Sequence, residues 1–181
     1  MNERLTVTAF TDNSPGVLHR IVVAFTRRKV NIESLTVSET EQVGISRFTI
    51  VVKSPFEAVQ KIARQIDRII EVREVYVSRD SDIVFKEIAF FKIATDSASK
   101  RAEIEDLAHR YDAKVTYAEK EFLVLEKTGD EDSISSLFLV LESFGIKEFV
   151  RSGRISILKH ERKEEEVVES VIDARTSNMM F

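Results

Sequence analysis

Two consecutive βαββαβ units, each an α+β two-layer sandwich, are what this sequence predicts, and three observations carry the prediction. Period-two alternation and apolar residues at i, i+3, i+4 and i+7 follow one another in the order strand, helix, strand, strand, helix, strand. The same order starts again after a polar interval at residues 78–82. With 181 residues, 43% of them apolar, and only five Gly and two Pro, the chain can build two small cores.

Residues 5–10 alternate as a strand, with Leu5, Val7 and Ala9 on one face and Thr6, Thr8 and Phe10 on the other. A helix begins next, with Ser14 as its N-cap and Pro15 as its first residue, because proline's fixed φ suits that position. Leu18, Ile21, Val22 and Phe25 form its apolar stripe, and Arg27, Arg28 and Lys29 complement its negative C-terminal end. Strands follow at 32–38 and 45–53. A second helix over 55–70 carries Val59, Ile62, Ala63, Ile66 and Ile70 on its stripe, and 72–77 closes the unit as a strand.

In the second unit a strand at 87–94 precedes a helix striped by Ile104, Leu107, Ala108 and Tyr111. Residues 113–118 and 122–127 read as a hairpin, Ile134, Leu137, Phe138, Leu141 and Phe144 stripe a fourth helix, and 146–158 ends the unit as strand. Units of this kind are ferredoxin-like. Two helices cover one face of a four-stranded antiparallel sheet, and the opposite face and the edge strands are left to a partner. The predicted domains are 1–78 and 84–159. Residues 160–181 read as a charged tail, with a charged run at 161–166 and then Val167, Val168, Val171 and Ile172 at near-helical spacing. It reads as a loosely ordered helix or, alternatively, a docking element for another subunit.

Composition closes off several classes of function. Twenty-seven basic against thirty-one acidic side chains make nucleic acid an unexpected partner. Without cysteine there are no disulfides, thiolate metal sites or thiol nucleophiles. The chain starts directly on strand-like residues, and no apolar run approaches the roughly 20 residues that span a bilayer, so a soluble cytoplasmic protein without membrane attachment is expected. His19, His109 and His160 lack the i, i+4 spacing of a helical metal pair and read as surface residues. The five glycines are spread singly, so no phosphate loop exists, and Glu103, Glu105 and Asp106 read as a solvated face. The chain is therefore expected not to be an enzyme, and to hold no metal or cofactor of its own.

Two short segments point instead to binding: Asn13-Ser14-Pro15-Gly16-Val17-Leu18 and Asn31-Ile32-Glu33-Ser34-Leu35-Thr36-Val37. Gly16, lacking a Cβ, leaves the first helical turn bare, so a carboxylate can approach the unpaired N–H groups there. Asn13 can accept from an ammonium group, while Val17, Leu18 and Ile32 suit an aliphatic side chain. A free amino acid has all three features. A plain loop-to-helix junction is the alternative for the first segment.

These segments, with Phe25-Thr26-Arg27-Arg28, Ser46-Arg47-Phe48-Thr49-Ile50-Val51-Val52, Glu87-Ile88-Ala89-Phe90-Phe91-Lys92-Ile93, Phe144-Gly145-Ile146-Lys147-Glu148 and Arg151-Ser152-Gly153-Arg154-Ile155, closely resemble the small regulatory subunits of acetolactate (acetohydroxyacid) synthase. The resemblance covers nearly everything before the tail. It implies an N-terminal ACT domain that dimerises and a C-terminal ferredoxin-like domain, regulating a separate large subunit that holds thiamine diphosphate, magnesium and FAD. That subunit condenses two pyruvates, or pyruvate with 2-oxobutyrate, toward valine, leucine and isoleucine. The small subunit raises its activity and confers feedback inhibition. The implied effector, valine or another branched-chain amino acid, sits between two ACT domains, with Asn13, Gly16, Val17 and Leu18 from one protomer and Asn31 and Ile32 from the other.

Three features depart from the family pattern. Lys29 stands where the first helix commonly ends on glycine, His19 takes a position near the pocket that is often small and polar, and the tail is long. The loop at 38–47, with Glu39, Glu41 and Gly44, is a candidate contact with the large subunit, or a solvated hairpin. Rival functions are a stand-alone ACT-domain amino-acid sensor acting on transcription or another enzyme, an RNA-binding module, and a metal-carrying ferredoxin-like domain. The C-terminal strings argue against the first, Thr6, Thr8, Thr49 and Val51 supply no aromatic or basic sheet face for the second, and the absent Cys-x-x-Cys removes the third.

Overall fold

The computed structural model describes residues 2–160, so the tail readings fall outside the described residues. In the first unit the elements run β1 (Glu3–Asp12), α1 (Val17–Arg27), β2 (Ile32–Glu39), β3 (Ile45–Ser54), α2 (Phe56–Ile66) and β4 (Val72–Arg79). The strands form an antiparallel sheet in the order β2-β3-β1-β4. Leu5, Val7 and Ala9 lie on the helical side, wholly buried with Ile21, Phe25, Val59, Ile62 and Ile66. The second helix is shorter than its apolar pattern suggests. It stops at Ile66, and two tight turns, Ile69 N–H to the Ile66 carbonyl and Val72 N–H to that of Ile69, each 2.9 Å, follow. Ile69 is thereby packed against the core, and Ile70, expected on the stripe, is 95% exposed.

The second unit comprises β5 (Ile83–Ala94), α3 (Ala98–Arg110), β6 (Lys114–Ala118), β7 (Phe122–Gly129), α4 (Glu131–Leu141), β8 (Ile146–Arg151) and β9 (Ile155–Leu158). Ala89, Phe91 and Ile93 of β5 pack under Ile104, Leu107, Ile134, Leu137 and Leu141. The α3 and α4 N-termini are capped by Ser97 and Asp130, whose side chains accept from the amides of Lys100 and Ser133. Helices α1 and α3 leave by the same left-handed exit. Lys29 has φ 56° and Asp112 φ 51°, and the amides of Val30 and Ala113 reach back to the carbonyls of Phe25 and Ala108. Lys29 thus adopts the conformation that glycine would supply.

Two expectations are corrected. The closing strand is not continuous over 146–158. Arg151 pairs with Ala89 and Ile155 with Lys86, so this side needs one residue more than β5 does, and Ser152-Gly153-Arg154 absorbs the excess as a break. The face of the first sheet away from its helices is not left free. Thr6, Thr8, Thr49 and Val51 there are at most 4% exposed, and the second unit supplies hydrogen bonds to it. Thr36 Oγ1 donates to the Arg154 carbonyl at 3.2 Å, Arg47 donates to the Ser156 carbonyl, and Arg4 pairs with Glu131 at 2.8 Å. An open face survives in the second sheet, where Val84, Ile88, Phe90 and Val150 are exposed. Among the described residues no helix is long and apolar enough to cross a membrane.

Candidate functional site

At the end of β1 the chain turns through Asn13, whose amide donates to the Gly44 carbonyl at 2.7 Å, and Ser14, whose amide bonds back to Asp12. The helix then starts later than the Ser-Pro pair suggests. Its N-cap is Gly16, with φ 87°, a left-handed conformation that disfavours a side chain, and Ser14 does not cap it. The first intrahelical bond runs from the Arg20 amide to the Gly16 carbonyl at 3.2 Å. The amides of Val17, Leu18 and His19 are therefore the donors that the helix itself does not use. Ser14 Oγ is shielded from solvent without a hydrogen-bond partner among the described residues. Val17 is buried, whereas Leu18 is 45% exposed and Gly16 is exposed. The result is an accessible cluster of donors beside an apolar surface, suited to a carboxylate.

The second segment lies elsewhere. Ile32 pairs with Val52 and Val52 with Leu5, whereas Asn13 follows Asp12, which pairs with Ile45. Leu5 and Asp12 are seven residues apart on β1, roughly 23 Å of strand. Within one chain, then, Asn31 and Ile32 sit at the opposite end of the sheet from Asn13, Gly16, Val17 and Leu18. At the first segment's end lies the hairpin loop at 38–47. Its Glu39 accepts from the Gly44 amide at 3.1 Å, while Val43 is 96% exposed.

A second polar cluster, which sequence reasoning missed, lies between the units. A cavity of about 110 Å³ is lined by Arg4, Glu33, Glu87, Glu131, Arg151 and Arg154, with Ser34, Val51 and Ser152. Arg154 is 1% and Glu87 6% exposed. Arg154 Nη1 donates to Asp80 Oδ1 at 2.7 Å and to Thr6 Oγ1 at 3.2 Å, and its guanidinium carbon stands 3.9 Å from the centre of the Phe85 ring. Glu87 is 3.4 Å from Arg151 and 3.8 Å from Arg154, yet its Oε2 has no hydrogen bond among the described residues. Burial pushes its carboxyl above the usual range against the pull of both arginines. One signal was legible: Glu87 falls in phase with Ala89, Phe91 and Ile93, a carboxylate on the inward face of a strand. Among the described residues no group of three His, Cys, Asp or Glu is arranged to hold a metal, and His19, His109 and His160 are all exposed.

Comparison with known proteins resolves the family. Residues 8–74 match the model of the AHAS small subunit-like ACT domain, and residues 86–160 match that of the small subunit of acetolactate synthase. A probable acetolactate synthase small subunit of Archaeoglobus fulgidus is 33% identical over 158 residues, covering 87% of this chain and 98% of the relative. The acetolactate synthase small subunit of Mycolicibacterium smegmatis is 34% identical over 157 residues, 87% of this chain and 92% of that protein. Among solved structures, the acetolactate synthase small subunit from Thermotoga maritima superimposes with a TM-score of 0.80 at 26% identity, over 88% of this chain and 99% of the other. With both units matched in order, and nearly the whole length of an archaeal relative aligned, this chain belongs to the acetolactate synthase small-subunit family.

Proposed function

We propose that this protein is the non-catalytic regulatory subunit of an acetolactate synthase, raising the activity of a separate large subunit and making it inhibitable by a branched-chain amino acid, valine first among them. Thiamine diphosphate, magnesium and FAD belong, in this reading, to the large subunit. The observation that carries it is the start of α1: amides that the helix does not use follow a left-handed Gly16, and the nearby Ser14 Oγ has no partner among the described residues. An amino-acid carboxylate fits those donors, and the side chains of Val17 and Leu18 favour an aliphatic effector.

The separation of the two segments supports a homodimer through the ACT domain. Strand β2 is an edge strand, and an edge can pair with its own copy. Antiparallel pairing of two such strands about a two-fold axis carries the partner's Asn31 and Ile32 toward the Glu39 end of β2. Glu39 pairs with Ser46, next to the Ile45 that faces Asp12, so this is the end that holds Asn13 and Gly16. Each of two equivalent sites then draws on both chains.

The test is acetolactate formation by the cognate large subunit, with and without this protein, across titrations of valine, leucine and isoleucine. Activation with amino-acid-dependent inhibition supports the reading. Activation that ignores all three amino acids removes the effector and keeps the partner. No effect on the synthase removes the assignment and leaves a stand-alone sensor.

A further inference from the structure

The two segments of the candidate site hang on β1 and β2, and one residue of the other unit is tied to both strands, to β1 by its side chain and to β2 by its main-chain carbonyl. Thr6 of β1 accepts from Arg154 Nη1, and Thr36 of β2 donates to the Arg154 carbonyl. From the same residue the guanidinium reaches Asp80 in the turn between the units, and Phe85 and Glu87 of β5. Resting on the proposed function, we propose that Arg154 is the positioning residue through which effector occupancy at the ACT interface reaches the C-terminal domain.

Three physical features favour transmission at this point over a passive bolt. A buried guanidinium is shut off from bulk water, so losing its ion pair or hydrogen bonds without replacing them is costly. The Thr6 and Thr36 bonds are already 3.2 Å long, at the outer edge of the normal range, and a strand displacement of about 1 Å breaks them. There is also somewhere to go. Arg154 Nε and Glu87 Oε2 lack hydrogen bonds among the described residues, and both residues line the cavity between the units. A second arrangement of the arginine can therefore recruit groups that the present one leaves unused, which is what a two-state element requires. In such a dimer each chain has the end of its β1 in one effector site and the start of its β2 in the other, so occupancy of the two sites loads both strands that its Arg154 grips.

The experiment compares the wild type with Arg154→Met, Thr36→Val and Thr36→Ser. Two quantities are read: valine affinity of the isolated full chain by calorimetry, and the ratio of reconstituted synthase activity without and with saturating valine. A typical coupling gives a wild-type ratio of about 5 to 150. The ratio is expected to fall to about 2 or below in Thr36→Val and Arg154→Met while valine affinity stays within about threefold, and Thr36→Ser, which keeps the hydroxyl, is expected to restore it. Thr36→Val keeps the proposal testable where Arg154→Met does not fold. A wild-type ratio retained in a folded Thr36→Val overturns this proposal alone. A wild-type ratio of one removes valine as the effector, leaving the synthase partner in place, and this proposal falls with it.

Discussion

Gly153 sits against Thr36 so closely that a Cβ added to it would stand 2.4 Å from Thr36 Oγ1 and 3.6 Å from the Leu35 backbone. The crowding is against the Thr36 hydroxyl, since the Leu35 backbone stands at an ordinary van der Waals distance. Gly153→Ala is expected to destabilise the protein by about 1 to 3 kcal/mol, because the Thr36 hydroxyl must move aside and give up its bond to the Arg154 carbonyl. Thr36→Ala removes the offending oxygen, so the double variant is expected to lose less than the sum of the singles. Urea unfolding midpoints at constant m-value measure both. Additive losses would mean that the two residues do not meet.

Lys29 offers the opposite opportunity. Its left-handed backbone closes α1, with the amides of Lys29 and Val30 donating to the Thr26 and Phe25 carbonyls. A non-glycine residue bears a conformational cost in that region, so Lys29→Gly is expected to stabilise by about 1 kcal/mol without altering activation of the synthase. Asp112, in the matching position of the second unit, is the control. Aspartate tolerates the left-handed region better than lysine, and Asp112→Gly is expected to yield less. A stability series in urea decides the order.

At the candidate effector site, Gly16→Asp is expected to weaken valine inhibition by tenfold or more (about 1.4 kcal/mol) while sparing activation of the large subunit. A carboxylate there repels the effector's own and competes for the same amides. Gly16→Ala separates charge from strain. Its Cβ lies at an ordinary 3.4 Å from Arg20 Nη1, so only the left-handed φ of 87° opposes it. Valine titration of the reconstituted synthase is the measurement, and equal loss in both variants would assign the effect to backbone strain.

Most of the architecture was legible because each element writes its own period. Leu5, Val7 and Ala9, and the stripe of Val59, Ile62 and Ile66, fall where alternation and helical spacing put them. What escaped was set by tertiary context. Ile70 has the right spacing for the helix, but the chain has already turned, and Ile69 takes the inward place. The polar face of β1 read as left to a partner molecule because Thr6 and Thr8 suit an open sheet face. They serve equally as hydrogen-bonding residues under a second layer, and no local pattern says which. The six site residues were assigned to one pocket across two chains by resemblance. Strand direction explains why a single chain separates them: β1 and β2 both pair antiparallel with β3, so they run the same way and the start of β2 lies at the opposite end of the sheet from the end of β1. Arg154 lay inside a string that served only to mark the family, and its burial follows from a one-residue excess in pairing that becomes visible once β5 has both partners.

Two carboxylates make opposite demands on pH. Glu87 has its carboxyl raised above the ordinary 4.5 by burial, so the folded protein holds that proton more firmly than the unfolded chain. Its contribution to stability is fully present below 4.5 and is lost as pH rises through the raised value. Asp130 is lowered from 3.8 by hydrogen bonds from Ser133, so its contribution is present above 3.8 and is lost as pH falls through the lowered value. Glu87→Gln removes the first titration and Asp130→Asn the second, while the asparagine still caps α4. Stability measured by urea unfolding between about pH 3 and 8 is expected to diverge in opposite directions. Relative to wild type, Glu87→Gln gains as pH rises above 4.5, and Asp130→Asn gains as pH falls below 3.8. A pH-independent offset for Glu87→Gln would show that the seam between the units admits enough water to hydrate its carboxylate, and that the ion pairs around Arg154 are not held in a desolvated space.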